Sequence, residues 1–297
     1  MDQHSPTPAA KPTMRTLALR ILRRIGVFLA VLYLAACGVL YTSQTSLIYP
    51  RSQIEPAPSE SERPPEFESF WITAKDGSKV EAWFLLGEGR SPTSPGPAAV
   101  LTHGNGEYID YNVETAKMYR RWGISVLMPE YRGYGRSTGT PGQAAITEDL
   151  LAFYSWLVAR PEVDASRLVY HGESIGTGYA CVLADAHPPR ALILNSPFMS
   201  LAAMAARYGM PSWLVESPLR NDQVVSKDIA PVLIFHGSHD TVVPFEQGKR
   251  LSKVAPRCEF VEFNCGHNDL PPQPDWPVYA ATIHRFLAVN GVLEATP

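Results

Sequence analysis

The chain has 297 residues, of which 45% are hydrophobic and 19% charged, and its formal net charge is −3. That length accommodates one large domain or two small ones with a sizeable core. The slightly acidic balance lacks the basic footprint of nucleic-acid-binding proteins, so we expect no nucleic-acid partner. The sequence has no internal repeat, and its cysteines and histidines show no zinc-type pairing.

The four cysteines do not predict a disulfide framework. Cys37 lies in an apolar run and Cys181 in a helical pattern. Cys258 and Cys265 bracket CEFVEFNC, and the ends of one extended strand of that length lie roughly 20 Å apart, beyond disulfide reach. We therefore expect unpaired thiols, most of them buried.

The first element in chain order is an apolar segment close to the N-terminus. Residues 1–24 are predicted to form a disordered, basic region, and residues 25–41 are uninterruptedly apolar. As a helix this run reaches about 26 Å, which is enough to cross the hydrocarbon core of a bilayer. We predict a membrane anchor rather than a buried core helix, because a basic cluster precedes the run and a polar, proline-rich segment follows it.

The charges that flank the apolar run predict its orientation. Five basic residues precede it and only Arg51 closely follows it; the five are Lys11, Arg15, Arg20, Arg23 and Arg24. The positive-inside rule then keeps the N-terminus in the cytoplasm and places the rest of the chain outside it.

A lipoprotein signal is the alternative interpretation of the same segment. Residues 34–37, LAAC, resemble the lipobox of bacterial lipoproteins, in which the signal ends before a lipidated cysteine, here Cys37. Against cleavage, the apolar run continues through GVLY, and the region before the run is long for a signal peptide. We favour an uncleaved anchor, and both interpretations tether the chain to a membrane.

The remaining sequence predicts one α/β domain over residues 67–292, preceded by a linker at 42–66 that is rich in proline, serine and charge. Its predicted strands lie in FESFWITAKDGSKVEAWFLL (a hairpin turning at Asp76-Gly77), PAAVLTHG, ISVLMPEYRG, SRLVYHG, ALILNSPF, PVLIFHG and CEFVEFN. Its predicted helices are YIDYNVETAKMYRRWG, AAITEDLLAFYSWLVAR, SIGTGYACVLADAH and VYAATIHRFLAVNG. This alternation indicates a mostly parallel sheet with helices on both faces and an antiparallel edge formed by the first two strands. The irregular stretch 197–228 is either a small cap or a loop containing a helix.

A glycine-flanked serine follows one of these strands. Gly172-Glu173-Ser174-Ile175-Gly176 fits G-x-S-x-G between a predicted strand and a predicted helix, which is the context of a nucleophile elbow. A serine N-cap explains the same residues when they are taken alone. Glu173 has no evident use in either interpretation.

Two later strand ends favour catalysis. Asp240 lies just past PVLIFHG, and His267 lies just past CEFVEFN. An unassisted serine hydroxyl is a poor nucleophile and needs a histidine as general base, which in turn needs a carboxylate to orient it. The order Ser174, Asp240, His267 is that of an α/β-hydrolase triad. Taken singly, Asp240 is explained as a turn former and His267 as a capping or surface histidine.

The loop LTHGNGEYI supplies the fourth part of this constellation. An oxyanion hole of this type takes one backbone N–H from an early loop and one from the residue after the nucleophile. We assign these donors to Asn105 and Ile175. His103 is expected to brace the loop rather than to transfer protons.

Taken together, HGNG, YRGYGRSTGTPG, GESIGTG, HGSHDTVVP and CGHNDL resemble the α/β-hydrolase superfamily over roughly residues 67–292. Within it the chain is similar to small membrane-anchored serine hydrolases that include lysophospholipases, acyl-protein thioesterases and serine aminopeptidase-like enzymes. The resemblance implies Ser174 as nucleophile, Asp240 as acid, His267 as base and residues 104–106 as oxyanion loop. The chain departs from the family at Gly106, where alanine is frequent, and at Glu173, where histidine, glutamine or arginine is common.

The glycine-rich segment YRGYGRSTG, residues 131–139, carries two arginines and is open to two interpretations. It either binds phosphate or shapes the turn beside the site, and we favour the structural role because GKS/T is missing. No dinucleotide fingerprint or HExxH motif occurs, so no cofactor and no metal are expected.

The sequence therefore predicts a membrane-tethered serine hydrolase that cleaves esters or thioesters of a small-molecule or lipid-like acyl substrate through an acyl-enzyme. A serine peptidase of the aminopeptidase or prolyl oligopeptidase type is the alternative on the same fold. A non-catalytic interaction protein is a third alternative, and the complete set of Ser174, Asp240 and His267 argues against it. The oligomeric state is not indicated.

Overall fold

The computed structural model describes residues 13–207 and 209–294, and the chain divides into two compact units, Met1–Gln44 and Thr45–Pro297. The described part of the first unit is helical and belongs to α1, Met14–Ile48, whose last residues, 45–48, lie in the second unit. The helix extends beyond the apolar run 25–41 at both ends, because leucine, alanine and arginine before the run favour helix. Pro50 disfavours helical backbone at the residue before it, so the helix ends at Ile48.

Helix α1 has the length and surface expected of a membrane-spanning segment. Its 35 residues correspond to about 52 Å, more than the ~30 Å of a bilayer core. Within the described residues it is the one helix that is long and apolar enough to cross a membrane, judged by length and composition. Most of its large apolar side chains are exposed; Phe28 and Leu34, for example, are each 66% exposed.

Eight strands of the second unit, among the described residues, form one sheet in the order β1-β2-β4-β3-β5-β6-β7-β8. They are β1 Glu68–Thr73, β2 Lys79–Leu85, β3 Gly96–Thr102, β4 Ser125–Pro129, β5 Val163–Glu173, β6 Ala191–Asn195, β7 Val232–Gly237 and β8 Cys258–Phe263. The pairs β1–β2 and β2–β4 are antiparallel and the others parallel. The predicted parallel sheet with an antiparallel edge is confirmed.

The helices of this unit cover both faces of the sheet. They are α2 Val113–Arg121, α3 Gln143–Val158, α4 Ile175–Ala186, α5 Leu201–Ala206, α6 Asn221–Val225, α7 Phe245–Val254 and α8 Trp276–Val289. Neighbouring strand residues point to opposite faces. Accordingly Val169 of β5 packs with α2 and α8, whereas Tyr170 packs with α3, α4, α6 and α7. Two hydrophobic cores thus hold β5 in the middle of the sheet.

The structure differs from the sequence prediction at several elements. Residues 45–66 belong to the second compact unit, and they contain two 3₁₀ turns, Arg51–Gln53 and Glu60–Glu62. Proline-rich composition prevents regular structure there, but it does not prevent packing. Helix α7 was not predicted, although a parallel connection from β7 to β8 requires a crossover. The stretch 197–228 contains two short helices, α5 and α6, and one 3₁₀ turn.

The cysteines agree with the prediction of unpaired thiols. All four are free, and Cys181 and Cys265 are buried in the second unit. Burial raises the pKa of Cys181 above its ordinary value, so this thiol stays protonated at neutral pH.

Candidate active site

Ser174 lies on a strained turn between β5 and α4. Its backbone has φ 50° and ψ −116°, in the left-handed region that non-glycine residues rarely adopt. Such strain costs roughly 1–3 kcal/mol and is typical of functional sites. The Ser174 N–H donates to the Asn195 carbonyl at 2.9 Å, which ties the turn to the end of β6.

The two glycines of the turn are required by close backbone contacts. A Cβ atom on Gly172 would lie 2.4 Å from the Gly176 oxygen, and one on Gly176 would lie 2.0 Å from the Thr102 oxygen. The Thr102 hydroxyl donates to the Gly176 carbonyl at 2.8 Å. The end of β3 and the first turn of α4 are therefore in direct contact, which places the loop after Thr102 beside the serine.

His267 lies between Ser174 and Asp240. Its Nε2 is 3.0 Å from the Ser174 Oγ, and its Nδ1 is 2.6 Å from the Asp240 Oδ2. The Ser174 hydroxyl forms no capping bond to α4, so the N-cap interpretation has no support in the geometry. The structure thus brings together three residues that are widely separated in the sequence.

Asp240 is fixed on its other oxygen by backbone groups. The N–H groups of Val242 and Val243 donate to its Oδ1 at 2.9 and 2.8 Å. Burial raises the pKa of Asp240, but hydrogen bonds from His236 and His267 outweigh burial and hold that pKa well below its usual range. The carboxylate is therefore charged at neutral pH, as needed to orient an imidazole. His236 was not predicted as a partner.

The assigned oxyanion donors have backbone N–H groups that the fold leaves free. Ile175 is the first residue of α4, so its N–H has no carbonyl one turn earlier in that helix. The Asn105 N–H donates to no backbone carbonyl within residues 13–207 and 209–294. Both groups are thus available to an anionic oxygen beside Ser174.

Two tyrosines hold the loop that contains Asn105. The Tyr131 hydroxyl donates to the His103 carbonyl at 2.8 Å, and the Tyr134 hydroxyl donates to the Asn105 carbonyl at 3.1 Å. The Asn105 side chain donates to the Ile48 carbonyl at 3.2 Å. Sequence reasoning missed these supports, since no motif spacing links residues so far apart.

His103 is a buried brace of the same loop. Its Nε2 lies 2.7 Å from the Glu130 Oε1, and its ring stacks on Tyr131 at 3.9 Å between centroids. Burial lowers the pKa of His103, but the Glu130 carboxylate outweighs burial and raises it. This environment favours the bracing role over proton transfer.

The two arginines of the glycine-rich loop are paired with carboxylates. Arg132 is buried and bidentate to Asp149, at 2.6 and 2.8 Å. Arg136 lies 2.6 Å from Glu81 and 2.8 Å from Asp110. Because both guanidinium groups are already neutralised, the structure favours the structural interpretation of this loop over phosphate binding.

Comparisons with known proteins agree with this fold. A family model described as serine aminopeptidase, S33, matches residues 93–221. The chain is 30% identical to the alpha/beta hydrolase domain-containing protein WAV2 of Arabidopsis thaliana, over 67% of this chain and 71% of that protein. It is 28% identical to the lysophosphatidylserine lipase ABHD12 of Danio rerio, over 79% of this chain and 72% of that protein. Esterase 2 of Thermogutta terrifontis shares the fold, with a TM-score of 0.67 and 18% identity over 80% of this chain and 100% of that chain.

Proposed function

The chain belongs to the α/β-hydrolase superfamily, and we propose that it is a membrane-tethered serine hydrolase that cleaves carboxylic ester or thioester bonds. The observation that carries the proposal is the pair of hydrogen bonds by which His267 links Ser174 to Asp240, at 3.0 and 2.6 Å. A protein that only binds partners has no need of this arrangement. The strained backbone of Ser174 is a second observation that supports catalysis.

The reaction follows from this geometry. Ser174 attacks the carbonyl carbon while His267 takes the hydroxyl proton, and the negative charge of Asp240 stabilises the imidazolium. The N–H groups of Asn105 and Ile175 bind the anionic oxygen of the tetrahedral intermediate. His267 returns the proton to the departing alcohol or thiol, which leaves an acyl group on Ser174. Water then attacks that acyl group with the same proton transfers, and the free acid departs.

An acyl lipid is the substrate class that we favour. A relative is named as a lysophosphatidylserine lipase, and a similar fold is that of an esterase. Helix α1 is apolar enough to hold the enzyme at a bilayer, where acyl lipids reside.

A fluorophosphonate probe tests the proposal directly. We expect the full-length protein in detergent micelles to be labelled at Ser174, and Ser174→Ala to lose the labelling together with about 10⁴-fold or more of the turnover of p-nitrophenyl butyrate. Ser155→Ala is the matched control, because Ser155 is exposed on α3, and it is expected to retain both signals. Folded wild-type protein that is neither labelled nor active contradicts the proposal.

A serine peptidase is the second candidate, favoured by the family model that matches residues 93–221. The triad geometry is the same for amide and ester cleavage. Aminoacyl arylamides and acyl esters compared side by side with wild type and Ser174→Ala distinguish the two. A higher kcat/KM for the arylamides assigns the enzyme to the peptidases.

A further inference from the structure

A cavity of about 380 Å³ lies beside the candidate active site. Glu173 and Asn195, at the carboxyl ends of β5 and β6, line it together with Glu107 and the pair Asn268-Asp269. Val169 and His171 contact residues of α2 and α8, and strand alternation places Glu173 on that same face of the sheet.

Three of the lining residues are sequence neighbours of proposed catalytic groups. Glu173 directly precedes Ser174, Asn268 directly follows His267, and Glu107 follows the oxyanion loop. The cavity therefore lies against the chain segments that carry Ser174, His267 and the candidate oxyanion loop, although the triad side chains do not line it.

The cavity is acidic and lacks compensating charge. Glu107, Glu173 and Asp269 contribute carboxyl groups, and its lining among the described residues contains no lysine or arginine. Glu107 accepts the Gly104 N–H at 3.1 Å. Burial raises the pKa of Glu173 well above its ordinary value, and the neighbouring Glu107 carboxylate raises it further. A cation bound in the cavity would lower the pKa of Glu173, because it stabilises the ionised carboxylate.

Asn195 adds an independent indication of a missing hydrogen-bond donor. Its side chain is 3% exposed, its Nδ2 donates to the Tyr279 hydroxyl at 2.8 Å, and its Oδ1 has no partner within the described residues. A buried amide oxygen without a donor costs about 1–3 kcal/mol. Asn195 and Glu173 also line an adjoining recess of about 10 Å³, which is near the size of one water molecule.

The shape of the lining favours an organic cation over a metal ion. Within residues 13–207 and 209–294, no group of three or more histidine, cysteine, aspartate or glutamate side chains is arranged to hold a metal. Trp276 and Tyr111 also line the cavity, and aromatic faces attract ammonium groups. Carboxylate oxygens and an unpaired amide oxygen accept hydrogen bonds. A primary ammonium group donates such bonds through its N–H groups, whereas a quaternary ammonium group has no N–H group.

We propose that this cavity binds a primary ammonium group of the substrate during hydrolysis, with Glu173, Asp269 and Asn195 as its acceptors. The proposal rests on the proposed function, because it names a substrate class for the same active site. It applies to an ammonium group on either the alcohol or the acyl side of the ester.

Paired esters that differ only in charge test this proposal. On the alcohol side we compare 6-aminohexyl butyrate with heptyl butyrate, and on the acyl side butyl 6-aminohexanoate with butyl heptanoate. In each pair a methyl group replaces the ammonium group. We expect the amine to raise kcat/KM of the full-length enzyme by at least about tenfold in one pair, as one charge-assisted hydrogen bond would do.

Two substitutions and one control assign that preference to the cavity. Glu173→Gln and Asp269→Asn are each expected to lower the amine-to-methyl ratio about fivefold or more. Asp269 is exposed, so its variant is available even if Glu173→Gln fails to fold. Glu262→Gln removes an exposed carboxylate on β8 outside the cavity, and it is expected to leave the ratio unchanged.

The outcomes separate this proposal from the proposed function. A ratio near one in both pairs, with Ser174 still labelled by fluorophosphonate, overturns the ammonium site and means that the cavity holds water. The same conclusion follows if Glu262→Gln lowers the ratio as much as the two cavity variants. Absence of labelling and of all ester turnover overturns the proposed function itself.

Discussion

His171 lies inside the core directly below the nucleophile turn, between two tyrosine hydroxyl groups. Its Nδ1 is 3.1 Å from the Tyr119 hydroxyl, and its Nε2 is 3.1 Å from the Tyr279 hydroxyl. A neutral imidazole has one donor and one acceptor nitrogen, so it satisfies both contacts without carrying charge. Burial lowers the pKa of His171 to about 4.

This buried histidine makes the stability of the fold depend on pH. The unfolded chain protonates His171 near pH 6.5, so its contribution is fully present above that pH and is lost as the pH falls towards 4. Between pH 7 and pH 5 the loss from this group alone is about 2 kcal/mol. We expect His171→Gln, which keeps a donor and an acceptor, to show a smaller decrease in Tm over that interval than the wild type.

Thermal unfolding of the full-length protein in detergent at pH 7 and pH 5 measures this difference. The wild-type decrease is expected to exceed that of His171→Gln by about 4–8 °C. His239→Gln is the control, because His239 is exposed, and its decrease should match that of the wild type. Equal decreases in all three proteins would show that folding does not lower the pKa of His171.

At the scale of elements, the segment that follows α1 is part of the second compact unit. Tyr49 is 2% exposed and packs among Tyr131, Tyr134 and Tyr179. Its hydroxyl lies 2.6 Å from that of Tyr179 and donates to the Ser217 hydroxyl at 3.2 Å. Tyr131 and Tyr134 donate hydrogen bonds to the loop that contains Asn105, so this segment packs against the side chains that hold the candidate oxyanion loop.

Tyr49→Phe tests the contribution of this segment. The substitution leaves the ring in place and removes the partner of the buried Tyr179 hydroxyl, so we expect the free energy of unfolding to fall by about 1–3 kcal/mol. Tyr154→Phe is the matched control, because the Tyr154 ring stacks on His187 and belongs to a different hydrophobic cluster from Tyr49. Denaturant unfolding of both variants measures the effect. A loss as large in Tyr154→Phe contradicts a specific role for Tyr49.

At the scale of the whole molecule, we predict that α1 retains the protein at a membrane. The helix continues for 11 residues after Cys37 without a break, since it ends at Ile48. This continuity favours an uncleaved anchor over a lipoprotein signal that ends before Cys37. The basic residues in front of residues 25–41 favour a cytoplasmic N-terminus.

Carbonate extraction of membranes tests whether α1 anchors the chain without lipidation of Cys37. We expect the full-length protein and Cys37→Ser to stay in the membrane pellet, because a spanning helix needs no lipidated cysteine. The chain that begins at Thr45 is expected in the supernatant. A lipidated mature N-terminus at Cys37 in the wild type would instead identify a lipoprotein.

Much of the fold and the candidate site was predictable because its signals are local. Each strand and helix has its own hydrophobic pattern, and parallel strands bring their carboxyl ends to one edge. That rule placed Ser174, Asp240 and His267 together before any distance was known. Helix α7 escaped prediction because its sequence, FEQGKRLSKV, is polar and contains Gly248. The structure explains that glycine, since a Cβ atom there would lie 2.2 Å from the His236 ring.

The sequence by itself determined an apolar N-terminal helix, an α/β domain and the order of a serine, an aspartate and a histidine at strand ends. These features depend on residues that are close together in the chain or on the rule that orders parallel strands. Only the tertiary structure decided that Tyr49 packs against the tyrosines that hold the candidate oxyanion loop, that His171 is a core residue and that Glu173 faces an acidic cavity with Asn195. Each of these roles depends on contacts between segments far apart in the chain, and packing of the whole domain is what creates such contacts.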